Sequence, residues 1–209
     1  MTPVPFQNKL LLIATTNRGK AREIAAVLAS PLLGFVSLAD AGIKSVCPET
    51  GKTFEANARA KAEFYSRGSG LLTLAEDSGL EIAALRGGPG IHSARFSGPG
   101  ATDPKNVAKV LRLLASVPRS GRRARFVCVM ALGRNGRTVA TVRGAVHGTI
   151  APEARGAAGF GYDPIFFYPP LGKTLAQLDE REKAGVSHRG RAFRQLRDRL
   201  AAHPPLVGG

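Results

Sequence analysis

LLTLAEDSGLEI, Leu71 to Ile82, is the stretch on which the rest of the chain is read. Its first five residues are as apolar as a buried strand, and they run into two adjacent carboxylates, Glu76 and Asp77. Neighbours on a strand point to opposite faces, so the two cannot serve one site unless the strand has already ended. Ser78 and Gly79 read as that ending turn. Open α/β sheets bind ligands at the carboxyl ends of their strands, which makes Asp77 the stronger candidate for chemistry and leaves Glu76 without a role. The alternative is a solvent-exposed strand end whose charges only mark the turn.

Upstream, KLLLIATTN reads as a short buried strand entering a polar turn, and GKAREIAAVLAS follows with Ile24, Val27 and Leu28 at helical spacing. A second strand is expected near Phe35 to Leu38. Thr53 is the expected N-cap of an alanine-rich helix reaching Arg67. Downstream of the opening stretch come a Gly/Pro-rich connection, an amphipathic helix from about Pro104 to Ala115, and the strand ARFVCVMAL. Asn135-Gly136-Arg137 signals a tight hairpin into TVATVRGAVHGTI. GAAGFGYDP follows, then TLAQLDEREK with a Thr174, Gln177 capping-box pattern. A last helix from about Ser187 places Ala192, Phe193, Leu196 and Leu200 on one face, and the tail 203–209 is expected to fray. The fold class is α/β, a long central mixed sheet flanked by helices, organised as a single domain over 1–209 with its core at about 10–200.

Composition narrows the function classes. The 209 residues are 44% hydrophobic and 22% charged, as in a soluble globular protein, and no apolar stretch is long enough to span a bilayer. The N-terminus lacks signal-peptide features, so a cytoplasmic setting is expected, with Cys47 and Cys128 as reduced thiols. Without a CxxC pair, no structural zinc site is expected. The net charge of +15 favours polyanions, whether nucleic acid, acidic membrane or phosphorylated small molecules. Arg119 to Arg125 (RSGRRAR) carries part of the excess and reads as a solvated face, because it lacks the aromatics that usually interleave a nucleic-acid groove.

Phosphate binding suits TTNRGK (Thr15, Thr16, Asn17, Arg18, Gly19, Lys20), which combines hydroxyls, an amide, a glycine and a lysine at a helix start. It is not a P-loop. A Walker loop needs glycine five positions before each of the GK glycines 19, 51 and 172, where the chain has Ala14, Val46 and Phe167. Glu49 can join Asp77 at a Mg²⁺ ion, since magnesium takes few protein carboxylates when phosphates supply other ligands. Asn57 and Lys61 share a helix face and can address a phosphate or the carboxylates. Phe160 and Tyr162 offer ring faces for a base, with core packing as the alternative. Lys183, His188 and Arg189 lie in what reads as a polar loop of hydrogen-bond donors.

TTNRGK, ETGKTFEAN, LAEDSGLEI, GGPGIHSARFSG, GFGYDPIFF and KAGVSHRG, in this order and at these distances, resemble the inosine/xanthosine triphosphate pyrophosphatase family from about Leu10 to Leu200. The resemblance implies a fold of two lobes with the site in a cleft, a homodimer, and Mg²⁺-dependent hydrolysis of non-standard purine nucleotides (ITP, dITP, XTP) to the monophosphate and pyrophosphate. It implies that Thr15 to Lys20 bind the triphosphate and that Asp77 is proton acceptor and magnesium ligand, with Glu49 associated with the metal. Ser78 contacts substrate, Phe160, Gly161, Tyr162 and Asp163 line the nucleoside pocket, and Lys183, His188 and Arg189 complete it. Membrane and specific nucleic-acid partners are not expected. The rivals are a Maf-like pyrophosphatase for modified pyrimidine nucleotides and a non-catalytic basic nucleic-acid-binding protein. Three features depart from the family pattern: Ala56 directly before Asn57, Glu76 where Asp is common, and the high positive charge. Glu55-Ala56 removes the reciprocal arm of a Thr53 capping box, so a slightly weaker helix start is expected.

Overall fold

The computed structural model describes residues 10–28 and 34–202, with the side chains of Arg18 and residues 25–28 outside that description. The expected tail 203–209 and the Val27 and Leu28 side chains therefore lie outside the described residues. Among the described residues no helix is long and apolar enough to cross a membrane.

Strand β1 (Leu10–Ala14) pairs in parallel with β2 (Gly34–Ser37) and with β3 (Leu72–Ile82), connected through helices α1 (Arg18–Leu28) and α2 (Phe54–Ser69). Strand β4 (Arg123–Arg134) turns into β5 (Arg137–Ile150) through Asn135 and Gly136, whose φ values of 50° and 72° are those of a type I′ hairpin. The hairpin makes these strands antiparallel. Two short strands that the sequence pattern did not signal, β6 (Phe166–Tyr168) and β7 (Lys173–Thr174), extend the sheet by antiparallel pairing. The result is a seven-stranded mixed sheet in the order β2-β1-β3-β4-β5-β6-β7. Helices α3 (Asp103–Leu113), α4 (Glu180–Val186) and α5 (His188–Ala202) complete the elements used below.

Strand β3 does not end at the acidic pair. It continues through Ser78 and Gly79 to Ile82, so Glu76 and Asp77 lie mid-strand and are buried. A glycine inside a strand costs about 0.5–1 kcal/mol. Full burial of Leu80 and Ile82 contributes roughly 1.5–3 kcal/mol each, which outweighs that cost. Ser93 Oγ also accepts the Leu80 N–H at 2.9 Å and holds the extended backbone.

The chain divides into two compact units, one built from residues up to Asp77, Val129–Val142 and those from Phe193 onward, the other from Ser78–Cys128 and Arg143–Ala192. In the first, α2 buries Phe54, Ala58, Ala62 and Tyr65 along one face. Thr53 Oγ1 accepts the Ala56 N–H, the reciprocal arm being absent as the sequence implies, and Gly70 closes the helix in the left-handed conformation. Gly133 lets α2 lie against β4: a Cβ there would fall 2.3 Å from the Ala62 carbonyl oxygen.

The second unit has a continuous apolar core including Leu80, Ile82, Val110, Phe126, Val146, Tyr162, Ile165 and Phe166. Arg122, expected on a solvated face, is instead buried here. Its guanidinium donates to the carbonyls of Leu114 and Val117, just past the end of α3, and of Ala151, just past β5. The Thr174, Gln177 capping box is present but starts only a short 3-10 turn, and α4 begins five residues later behind its own box of Asp179 and Glu182.

Gly133→Ala is expected to destabilise the fold by about 1–3 kcal/mol through the clash with α2. Gly68→Ala, where an added Cβ meets nothing within 4 Å inside α2, is expected to stabilise it by about 0.4–1 kcal/mol. Urea denaturation midpoints check both.

Candidate active site

In the first unit the register of β1 on β3 pairs Ala14 with Ala75, so the loop leaving β1 starts beside the acidic pair. Thr15 Oγ1 accepts the Asn17 N–H, and Asn17 Oδ1 accepts the Lys20 N–H at 3.0 Å, capping α1. These bonds fix Thr15 to Lys20 as a helix N-terminus, a geometry that attracts anions. Thr16 is exposed and Gly19 half-buried, while the Arg18 side chain lies outside the described residues.

Alternation along β3 sends the two carboxylates to different partners. Glu76, fully shielded at its side chain, pairs with Lys20 at 2.8 Å. Asp77 accepts from Asn57 Nδ2 at 3.0 Å and lies 3.8 Å from Lys61 Nζ. Asn57 Oδ1 in turn accepts the Gly51 N–H at 2.8 Å, which fixes which way the amide faces. Lys61 bonds Glu49 at 2.7 Å, so Glu49 and Asp77 border one ammonium. A side chain at Gly51 would meet Asn57 Oδ1 at 2.5 Å.

Glu76 and Asp77 have different partners, but their charges act on the same lysine. Burial raises the Asp77 carboxyl above the ordinary aspartate value, opposed by Lys61, by the Asn57 hydrogen bond and by Lys20. For Lys61, burial acts to lower the pKa, but Asp77, Glu49 and Glu76 together raise it. Each carboxylate thus acts on the other's cation.

The second unit holds the remaining candidates. Lys183, His188 and Arg189 are buried and do not lie in a polar loop: Lys183 is on α4, Ser187 caps it, and His188 and Arg189 open α5. Gly190 permits this tight junction, since a Cβ there would come within 1.8 Å of the Ala184 carbonyl oxygen. Arg189 donates to Ser78 Oγ at 2.7 Å. Lys183 pairs with Asp163 at 2.5 Å, and Asp163 also accepts the Phe160 N–H at 2.8 Å. The Phe160 ring has both Lys183 and Arg189 at 5.1 Å from its centroid.

Tyr162 and His188 stand apart from that group. Tyr162 packs in the apolar core with its hydroxyl donating to the Ser93 carbonyl, and burial raises its pKa strongly. The His188 ring stacks on Phe126 at 4.7 Å. The sequence pattern sets Asn57 and Lys61 on one helix face able to address a phosphate or the carboxylates, and in the structure they contact Asp77 and Glu49; it gives Glu76 no role. Asp103, which accepts the Gly161 N–H at 2.7 Å, had no signal beyond its place after the Thr102 cap.

Residues 11–199 match the Ham1 family. The chain belongs to the Ham1 family. It is 46% identical over 192 residues to the dITP/XTP pyrophosphatase of Shigella flexneri, covering 91% of this chain and 97% of the relative. It is 47% identical over 190 residues to the enzyme of the same description from Geobacter sulfurreducens, covering 91% and 96%. A solved Ham1 protein from Coxiella burnetii superposes with a TM-score of 0.84 at 40% identity, covering 92% of this chain and 98% of that one. The α/β fold and the mixed sheet are therefore those of Ham1 proteins.

In metal-free protein the Asp77 carboxyl is expected to titrate above the ordinary aspartate range. It should move higher still in Lys61→Met, because the lysine is the strongest influence opposing burial. Carboxyl carbon NMR titration reads both shifts; a lower Asp77 pKa in the variant would contradict this account of the cluster.

Proposed function

We propose that this Ham1 protein hydrolyses non-standard purine nucleoside triphosphates, dITP, ITP and XTP, to the monophosphate and pyrophosphate. The observation that carries the chemistry is the buried Asp77 carboxylate, held by Asn57 and flanked by Lys61 and Lys20, with its proton affinity raised by burial. A general base works best when its pKa is moved toward the working pH. The relatives named dITP/XTP pyrophosphatase, matched over 91% of the chain, support the substrate class.

The donor set suits magnesium. Glu49 and Asp77 offer hard carboxylate oxygens around a position that already accommodates one cationic group, and no cluster of three or more potential metal-ligating side chains forms among the described residues. Mg²⁺ accepts such sparse protein ligation when phosphates and water complete its shell. Bound there, it would supply polarisation and charge neutralisation of the phosphate chain. Asp77 takes the proton of the attacking water as the α–β anhydride bond breaks and pyrophosphate leaves. Lys20 and Lys61 offset the negative charge that develops on the leaving group. Thr15 to Lys20 receive the triphosphate at the α1 N-terminus.

Base choice falls to residues of the second unit. Phe160 supplies a ring face, and Arg189 and Lys183 supply donors. Hypoxanthine and xanthine present O6 as an acceptor to such donors. Adenine presents an amino group there and leaves them unpaired, at about 1–3 kcal/mol per buried group. The homodimer belongs to the same proposal and rests on the family resemblance.

Pyrophosphate release with Mg²⁺ is expected to be faster from ITP, dITP and XTP than from ATP, dTTP or GTP. Asp77→Asn should lower kcat by at least about 100-fold while nucleotide binding, read by calorimetry, changes little. Turnover near the wild-type rate in that variant would remove Asp77 as the base.

A further inference from the structure

Gly159 to Asp163 is the loop that presents Phe160, and its backbone is held by carboxylates on both sides of that residue. Asp163 Oδ2 accepts the Phe160 N–H at 2.8 Å, a tie that turns back within the loop. The next tie reaches another element: the Gly161 N–H donates to Asp103 Oδ2 at 2.7 Å, from a position 58 residues away in sequence at the first residue of α3. Both are hydrogen bonds to an ionised acceptor, the stronger kind.

Peptide units are planar, so holding the N–H of Phe160 restrains the plane before that residue and holding the N–H of Gly161 restrains the plane after it. Two restrained planes narrow the backbone conformations open to Phe160, and with them the side-chain rotamers available to it. Gly161 sits at φ 63°, a left-handed conformation in which glycine carries little strain. The ring so aimed is the one flanked by Lys183 and Arg189.

We infer that Asp103 is a positioning residue for the purine base, acting through the Gly161 N–H to aim the Phe160 ring. This rests on the proposed purine triphosphate activity. Asp103 also stands in the first turn of α3, where a negative charge steadies a helix by about 0.3–1 kcal/mol. Asparagine separates the two roles, because it keeps an acceptor oxygen and drops the charge.

The test is steady-state kinetics on ITP with Mg²⁺, together with inhibition by inorganic tripolyphosphate, which has phosphates and no base. Asp103→Ala is expected to raise KM for ITP roughly five- to tenfold, with kcat and tripolyphosphate inhibition within about twofold of wild type. Asp103→Asn should recover most of the lost affinity, to within about threefold. In a Phe160→Leu background the Asp103→Ala effect should disappear. The inference is overturned by an unchanged KM in Asp103→Ala, by an equal weakening of tripolyphosphate inhibition, or by an undiminished effect in the Phe160→Leu background. Wild-type protein without ITP turnover would overturn the proposed activity along with it, whereas active wild type with an unchanged Asp103→Ala KM overturns this inference alone.

Discussion

Two carboxylates buried side by side on β3 are the constraint from which the active-site half of the first unit follows. An unpaired buried charge costs several kcal/mol, so Glu76 and Asp77 each demand a cation or strong donors. Lys20 meets Glu76, and Lys61 with Asn57 meets Asp77. Meeting those demands sets the start of α1, the face of α2 and, through the Gly51 N–H, the loop that carries Glu49. Removing one partner from a buried pair typically costs about 3–5 kcal/mol, because the other charge remains buried. Such a cluster holds its geometry firmly, as the proposed chemistry requires of its base, phosphate cradle and cation position.

The second unit solves a different problem with similar means. Its loop of glycines and aromatics is anchored by Tyr162 in the apolar core and by hydrogen bonds to the charged Asp163 and Asp103, with Lys183 paired to Asp163. A Cβ at Gly159 would come within 2.2 Å of Asp163 Oδ2, and the residue is glycine because the carboxylate lies against its backbone. Lys183 and Arg189 reach this loop from α4 and α5, whose junction is tightened by Gly190.

Much of this was legible in the order of residues. The hairpin at Asn135-Gly136 follows from local turn chemistry, and the Thr53 cap from a hydroxyl followed by a free helix N–H. Helix α2 follows from an alanine-rich stretch behind that cap. Motif order over nearly the whole chain pointed to the pyrophosphatase family, and the Ham1 match over residues 11–199 agrees. Arg122 shows where local reading stops. Its neighbours Arg119, Arg123 and Arg125 are exposed, but the Arg122 side chain turns inward to the carbonyls of Leu114, Val117 and Ala151.

Sequence by itself determined the main strands and helices and the family, because propensity, periodicity and motif spacing are properties of neighbours along the chain. Tertiary structure decided where β3 ends, what Glu76 does and which side chains hold the loops. Ser-Gly is a turn signal worth less than the burial of Leu80 and Ile82, and that burial depends on a core assembled from other elements. Glu76 acquires its role from a lysine on α1, and Gly161 its anchor from an aspartate on α3. Charge pairing and backbone hydrogen bonds across tens of residues are set by folding in space, and no local pattern encodes them.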